Sequence, residues 1–301
     1  MKNLSTRSVI FLIISLLSIK MTAQPDLSAA RTERNVVFGM YSGLALLMDV
    51  YYPEKPNGYG VIQISGSGWN KPLSYEAPPL NHQGHVKIEG EALVAAGYTL
   101  FSINHRATPR FAYPAAVEDV QRAVRFIRYH AGRYKIDPDR IGAVGGSSGG
   151  HLVSMLGVLN GDEFPSDDSP LNKMSAKVQC VIARAAPSDL TGGGLGELFL
   201  GVRGSELNDH ASIEYKRAME ASPVFHITAD DPPFLLVHGD KDDIVPISLS
   251  EKMLEKFKTT GVTARLVSIE GAGHGPGFPG ATTPPDLKKL YVEWMDKHLK
   301  K

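Results

Sequence analysis

The chain has 301 residues, of which 43% are hydrophobic and 21% charged, and its 32 basic side chains are matched by 32 acidic ones. That length and balance suit one large-cored globular domain. Zero formal charge, with no basic cluster interleaved with aromatics, argues against a nucleic-acid partner. The single cysteine, Cys180, excludes an intramolecular disulfide, and its apolar setting from Val178 to Ile182 marks a buried structural thiol rather than a nucleophile.

Residues 1–23 read as a leader. Lys2 and Arg7 precede the apolar stretch Val9 to Ile19, which is too short for a comfortable membrane span, and Lys20-Met21-Thr22-Ala23 follows. The expectation is a signal peptide cut after Ala23, leaving one domain, 24–301, periplasmic or secreted and without stable membrane association; the alternative is an uncleaved membrane anchor. Cleavage removes Lys2, Arg7 and Lys20 and no acidic residue, so the mature chain is mildly acidic.

Asn35 to Met40 and Leu44 to Tyr52 predict a hairpin turned at Ser42-Gly43. Further strands are predicted at Val61 to Ile64, Tyr98 to Ile103, Arg140 to Val144, Val178 to Arg184, Phe234 to His238 and Arg265 to Ile269. Between them, Val86 to Ala96, Ala115 to Tyr134, Ser148 to Leu159, Ile247 to Thr260 and Leu287 to Leu299 have helical spacing. Alternation of short apolar runs with helices implies an α/β domain, a mostly parallel sheet covered on both faces. In the helix from Ala115, the charged residues Glu118, Arg122, Arg125 and Arg133 read as a solvated face. Asn70 to His85 and Ser188 to Ala221 are irregular and could line a pocket or simply connect elements.

Gly145-Gly146-Ser147-Ser148-Gly149-Gly150-His151 lies between an apolar strand and a helix. A serine on such a turn projects from the sheet edge, and small neighbours let a substrate approach. The plain alternative is a glycine-rich turn or phosphate loop, and either Ser147 or Ser148 fits the Gly-x-Ser-x-Gly frame. A serine hydroxyl needs a base, and the base needs an orienting acid. Downstream, the strand from Phe234 ends in Asp240-Lys241-Asp242-Asp243, and Gly271-Ala272-Gly273-His274-Gly275 follows the last strand. Serine, acid and histidine thus come in chain order at strand ends. His151, one turn past Ser147, reads as a structural hydrogen-bonding residue; His82, His85 and His105 could line a pocket or be ordinary surface or core residues, and carry no metal-ligand spacing.

With these motifs the chain resembles the esterase branch of the α/β-hydrolase superfamily, close to bacterial feruloyl-esterase-like and hormone-sensitive-lipase-like enzymes, from about Val36 to His298. The resemblance implies a mostly parallel eight-stranded sheet flanked by helices, a nucleophile at Ser147, a base at His274 and an acid at Asp242. The acid follows from the Asp-x-x-Val-Pro pattern ending at Pro246. Asn104-His105-Arg106, Pro114-Ala115-Ala116 and Asp119 also match. Where the family reads His-Gly-Gly-Gly-Trp, this chain has Ser65-Gly66-Ser67-Gly68-Trp69. By resemblance the oxyanion donors are the N–H groups of Ser67, Gly68 and Ser148, and Trp69 contacts substrate. If Ser67 had to adopt positive φ, it would cost roughly 1 kcal/mol that glycine avoids.

The resemblance implies a serine hydrolase of small-molecule or carbohydrate esters, acetyl or feruloyl, with no cofactor and no metal. Two other readings stay open. Ala221-Ser222-Pro223 and Asp231-Pro232-Pro233-Phe234 are similar to segments of prolyl-oligopeptidase-type peptidases. Ser65 and Ser67 would also fit a hydrolase-fold binding protein that has lost its oxyanion hole.

Overall fold

Apolar strands buried on both faces form the middle of one eight-stranded sheet. The computed structural model describes residues 27–161 and 169–300; the expected leader, residues 1–23, lies outside the described residues. The strands are β1 (Arg31–Tyr41), β2 (Leu44–Tyr52), β3 (Gly60–Ile64), β4 (Thr99–Ile103), β5 (Ile141–Gly146), β6 (Cys180–Arg184), β7 (Phe234–Gly239) and β8 (Ala264–Ile269). Their order is β1-β2-β4-β3-β5-β6-β7-β8. Only the β1–β2 and β2–β4 pairs are antiparallel. This is the sheet that the resemblance implies. The β1–β2 hairpin turns at Ser42 and Gly43, both at positive φ (45° and 82°), the backbone sense that matches strand twist in two-residue turns.

The helices are α1 (His85–Ala95), α2 (Ala115–Tyr129), α3 (Ala131–Tyr134), α4 (Ser148–Val158), α5 (Glu197–Leu200), α6 (Ile213–Glu220), α7 (Ser248–Thr260) and α8 (Leu287–Leu299). Successive strand residues point to opposite faces, so two cores form. Along β7, Phe234 and Leu236 join the core under α2, α4 and α7, while Leu235 and Val237 join the one under α1 and α8. Cys180 is fully buried in the second core, its thiol pushed far up by burial, so it stays an inert packing group.

Two local expectations change. The helix from Ala115 does not run to Tyr134; it breaks at His130, whose Nδ1 lies 2.9 Å from the Phe126 carbonyl. A side chain competing for a helix carbonyl at this position favours termination. Arg125 is not on a solvated face but only 4% exposed, and its Nε donates to the Met174 carbonyl at 3.1 Å. Arg128 likewise donates to the carbonyls of Pro138 and Lys177, at 2.8 and 2.7 Å. The chain returning from α4 lays its carbonyls over α2, and guanidinium donors satisfy them.

Candidate active site

The loops after β3, β5, β7 and β8 converge on the C-terminal edge of the parallel strands. Ser147 sits between β5 and α4 at φ 54° and ψ −125°. Close packing holds this conformation. A Cβ on Gly149 would lie 2.0 Å from the Ile64 carbonyl oxygen, and one on Gly145 would lie 2.6 Å from the Gly149 oxygen. The flanking glycines are therefore steric requirements of a turn pressed against β3. The Ser147 N–H donates to the Arg184 carbonyl at 2.8 Å, and the Ser147 carbonyl begins the helix by accepting from His151 N–H.

His274 reaches this serine from the loop after β8. Its Nε2 is 3.0 Å from Ser147 Oγ and its Nδ1 is 2.7 Å from Asp242 Oδ2. Asp242 Oδ1 accepts from the N–H groups of Ile244 and Val245 at 3.0 and 2.8 Å, so the carboxylate is oriented by its own turn. Its competitors are placed elsewhere: Asp240 caps the Gly271 N–H at 2.8 Å, and Asp243 is exposed. The structure thus brings Ser147, His274 and Asp242 into one hydrogen-bonded line.

Three strand spacings, about 15 Å, separate β5 from β8, so the His274 loop must bridge β6 and β7. Arg184, which closes β6, holds it. Arg184 is 2% exposed; its Nη2 donates to the Pro276 carbonyl at 2.6 Å and its Nη1 to Glu89 Oε1 at 2.7 Å. Glu89 Oε2 accepts from Gln63 Nε2 at 2.8 Å, and His85 Nδ1 is 3.4 Å from Oε1. Burial opposes ionisation of Glu89, yet the His85 contact and the Arg184 charge outweigh it and hold the carboxyl below its usual range. A second buried histidine, His238, lies 3.3 Å from Asp242 Oδ2. Its Nε2 is 2.8 Å from the Val245 carbonyl and its Nδ1 is 2.7 Å from Ser250 Oγ. Burial pushes its pKa down, which keeps it neutral: Nε2–H donates and Nδ1 accepts. Sequence reasoning passed over Arg184, Glu89 and His238, and held His85 only as an ordinary histidine that could line a pocket, which it does. Two signals were present, a lone arginine closing an apolar strand and a histidine four residues before the acid.

The oxyanion loop follows β3. Ser65 is buried, and its Oγ accepts from Gln63 Nε2 at 3.2 Å, a local bond in place of the family histidine. Positive φ falls on Gly68 (64°) and Trp69 (55°) and not on Ser67, so the serine carries no penalty there. The Ser67 N–H donates to Ser148 Oγ at 2.8 Å. That hydrogen bond ties the loop to the start of α4 and occupies one of the three donors the resemblance implies.

Trp69, expected to contact substrate, is turned into the fold and does not line the cavity over Ser147. It is 3% exposed, its ring stacks on Phe199 of α5 at 4.7 Å, and its Nε1–H donates to His151 Nδ1 at 3.1 Å. A large ring that finds both an apolar partner and an acceptor inside the fold gains more by burial than by facing water. His151 accepts there because Nε2–H donates to the Ala221 carbonyl at 2.7 Å and burial pushes its pKa down to about 4. It is a structural residue, as its helical position suggested. Ser188 to Ala221 folds into α5 and α6 and supplies this packing; none of its residues lines the cavity over Ser147. That cavity, about 240 Å³, is walled by Gly66, Gly68, His85, Arg184, Ala185 and Pro276.

The family model BD-FAE matches residues 48–257. A probable carboxylic ester hydrolase of Mycobacterium tuberculosis, LipM, is 27% identical over 66% of this chain, and the match spans 44% of that protein. The acetylxylan esterase of Xylanibacter ruminicola is 23% identical over 87% of this chain and 49% of its own length. The chain therefore spans about half the length of these curated relatives. Among solved structures, a truncated carbohydrate esterase from gut microbiota superposes with a TM-score of 0.76 at 25% identity, covering 92% of this chain and 99% of that one.

Proposed function

This chain belongs to the BD-FAE family, within the esterases of the α/β-hydrolase fold, and on that premise we propose that it hydrolyses carboxylic esters through Ser147. The observation that carries the reading is the unbroken Ser147–His274–Asp242 relay, with contacts of 3.0 and 2.7 Å. In this mechanism Nε2 of His274 takes the Ser147 proton as Oγ bonds to the ester carbonyl carbon. Asp242, held on Nδ1–H, fixes the tautomer and stabilises the imidazolium. The oxyanion receives hydrogen bonds from the N–H groups of Gly68 and Ser148. The Ser67 donor joins them only when the Ser148 hydroxyl turns away. On collapse, His274 returns the proton to the departing alkoxide. Water then attacks the acyl-serine as His274 takes its proton, and His274 returns that proton to Ser147 Oγ as the acyl–Oγ bond breaks and the carboxylic acid leaves.

The cavity bounds the acyl group. At about 240 Å³ it is smaller than the roughly 300–1,000 Å³ typical of sites for drug-sized ligands. A Cβ on Gly66 would meet the Gly146 oxygen at 2.6 Å, so the floor is closed. Short acyl groups fit this description better than feruloyl, and the carbohydrate-esterase relatives support an acetylated carbohydrate as the alcohol side. Export, on the strength of residues 1–23, would place the enzyme where such polymers are met. A panel of p-nitrophenyl acetate, butyrate and octanoate with methyl ferulate tests the reading. Acetate should give the highest kcat/KM, and Ser147→Ala should remove turnover; a feruloyl preference, or activity surviving in Ser147→Ala, would reject it.

A further inference from the structure

A second cleft opens on the same edge of the sheet. It is formed by the start of β2, by the segment from Lys71 to Tyr75 that continues the oxyanion loop, and by Asn104 to Phe111 after β4. Its volume, about 480 Å³, falls within the roughly 300–1,000 Å³ of small-ligand sites. Only β3 separates β4 from β5, so the cleft lies about two strand spacings, ~10 Å, to one side of the Ser147 elbow.

Three cations face it: Lys71, Arg106 and Arg110. Arg106 is neutralised inside the fold, with Asp119 at 2.8 Å and Glu118 at 2.8 Å. No carboxylate lies within ion-pair distance of Lys71 or Arg110 among the described residues, and the nearby Glu76 is turned to the Ser74 hydroxyl at 2.7 Å. Lys71 is half-buried, and burial pushes its pKa down. The histidines beside it, His82 and His105, are also pushed toward the neutral form by burial. A half-buried ammonium without a counter-charge is a cost that an anionic ligand would relieve. Beside these charges stand Phe111 and the fully exposed ring of Tyr75, apolar faces of the kind that pack against sugar rings. The walls are cross-tied: Lys71 N–H donates to the Thr108 carbonyl at 2.9 Å and Thr108 N–H to the Trp69 carbonyl at 2.8 Å. Trp69 directly follows Gly68, so an occupant of the cleft is held in fixed relation to the oxyanion loop.

We propose that this cleft binds an anionic sugar unit, the carboxylate of a uronic acid, carried on the same oligosaccharide as the ester presented to Ser147. The carboxylate meets the Arg110 fork and the Lys71 ammonium while the ring packs on Tyr75 or Phe111. This rests on the ester-hydrolase reading of the Ser147 site, and the test keeps the two apart.

Calorimetry with full-length Ser147→Ala protein measures binding of two unesterified xylo-oligosaccharides, one neutral and one bearing a glucuronic acid branch. The acidic ligand is expected to bind at least tenfold more tightly at low salt. The preference should shrink at high salt and fall to about twofold in Lys71→Met/Arg110→Gln added to the same background. On the Ser147 enzyme, the ratio of kcat/KM for acidic over neutral acetylated oligosaccharides should fall by the same factor in that double variant. Equal binding of the two ligands, or a preference that survives the double variant, overturns the proposal. A sulfated oligosaccharide binding more tightly than the uronate one overturns the carboxylate assignment. Binding is read without hydrolysis, so loss of the esterase reading would leave this result standing, and the converse holds too.

Discussion

Ser147 holds a backbone conformation that costs a non-glycine residue about 1–3 kcal/mol, and it does so because β3, β6 and α4 leave the turn no alternative. Gly149 shows the tolerance: the Cβ of an alanine there would stand 2.0 Å from the Ile64 oxygen, so Gly149→Ala should shift the elbow, lowering both thermal midpoint and kcat. Ser148 is the subtler neighbour. Its hydroxyl holds the Ser67 N–H, and one such hydrogen bond contributes about 1 kcal/mol. Ser148→Ala is therefore expected to reduce kcat/KM about fivefold by loosening the oxyanion loop. A rise in kcat instead would mean that the hydroxyl blocks the Ser67 donor rather than positioning it.

At the scale of elements, the site depends on a loop from an edge strand reaching three strands inward, and Arg184 with Glu89 makes that reach rigid. Removing one partner of a buried ion pair leaves an uncompensated charge and costs about 3–5 kcal/mol. Arg184→Met should therefore destabilise by that order in urea unfolding. Adding Glu89→Gln removes the stranded charge and should recover most of the stability. It should not restore kcat, which should stay at least tenfold down because the Arg184 donor to the Pro276 carbonyl is gone. If the double variant regains full kcat, the arginine stabilises the fold without positioning His274.

For the whole molecule, buried histidines set the response to acid. His151 is pushed down to about 4 from its ordinary 6.5, and burial also lowers His82, His105 and His238. Unfolded histidines bind protons below about 6.5 that the native ones refuse, so stability falls as pH drops from about 6.5 toward 4. His151 alone contributes about 3 kcal/mol to that loss through its burial, and protonating Nδ1 also breaks the Trp69 bond. Asp231, raised to about 6 by burial, works in the opposite direction and offsets part of it. Urea midpoints should be lower at pH 4.5 than at pH 7; equal or higher midpoints at pH 4.5 would contradict this.

Much of this architecture is legible in sequence because it is local. Short apolar runs marked all eight strands, and the Gly-x-Ser-x-Gly frame, the acid loop and the Gly-His-Gly loop marked the residues that meet at the edge. What escaped depends on distant partners. Arg184 and Glu89 are 95 residues apart, and neither announces the other. Trp69 read as a substrate contact by resemblance, since it follows the oxyanion loop, yet Phe199 and His151 drew it inside. Arg125 read as solvated because the carbonyls it satisfies lie on a returning segment with no periodic signal.

Covalent labelling shows whether His274 and Asp242 make the Ser147 hydroxyl reactive. Wild-type protein, Ser147→Ala and Ser148→Ala are treated with a fluorophosphonate and weighed intact. One adduct is expected on the wild type and on Ser148→Ala, and none on Ser147→Ala. An unlabelled wild type, or an adduct that persists on Ser147→Ala, would contradict this.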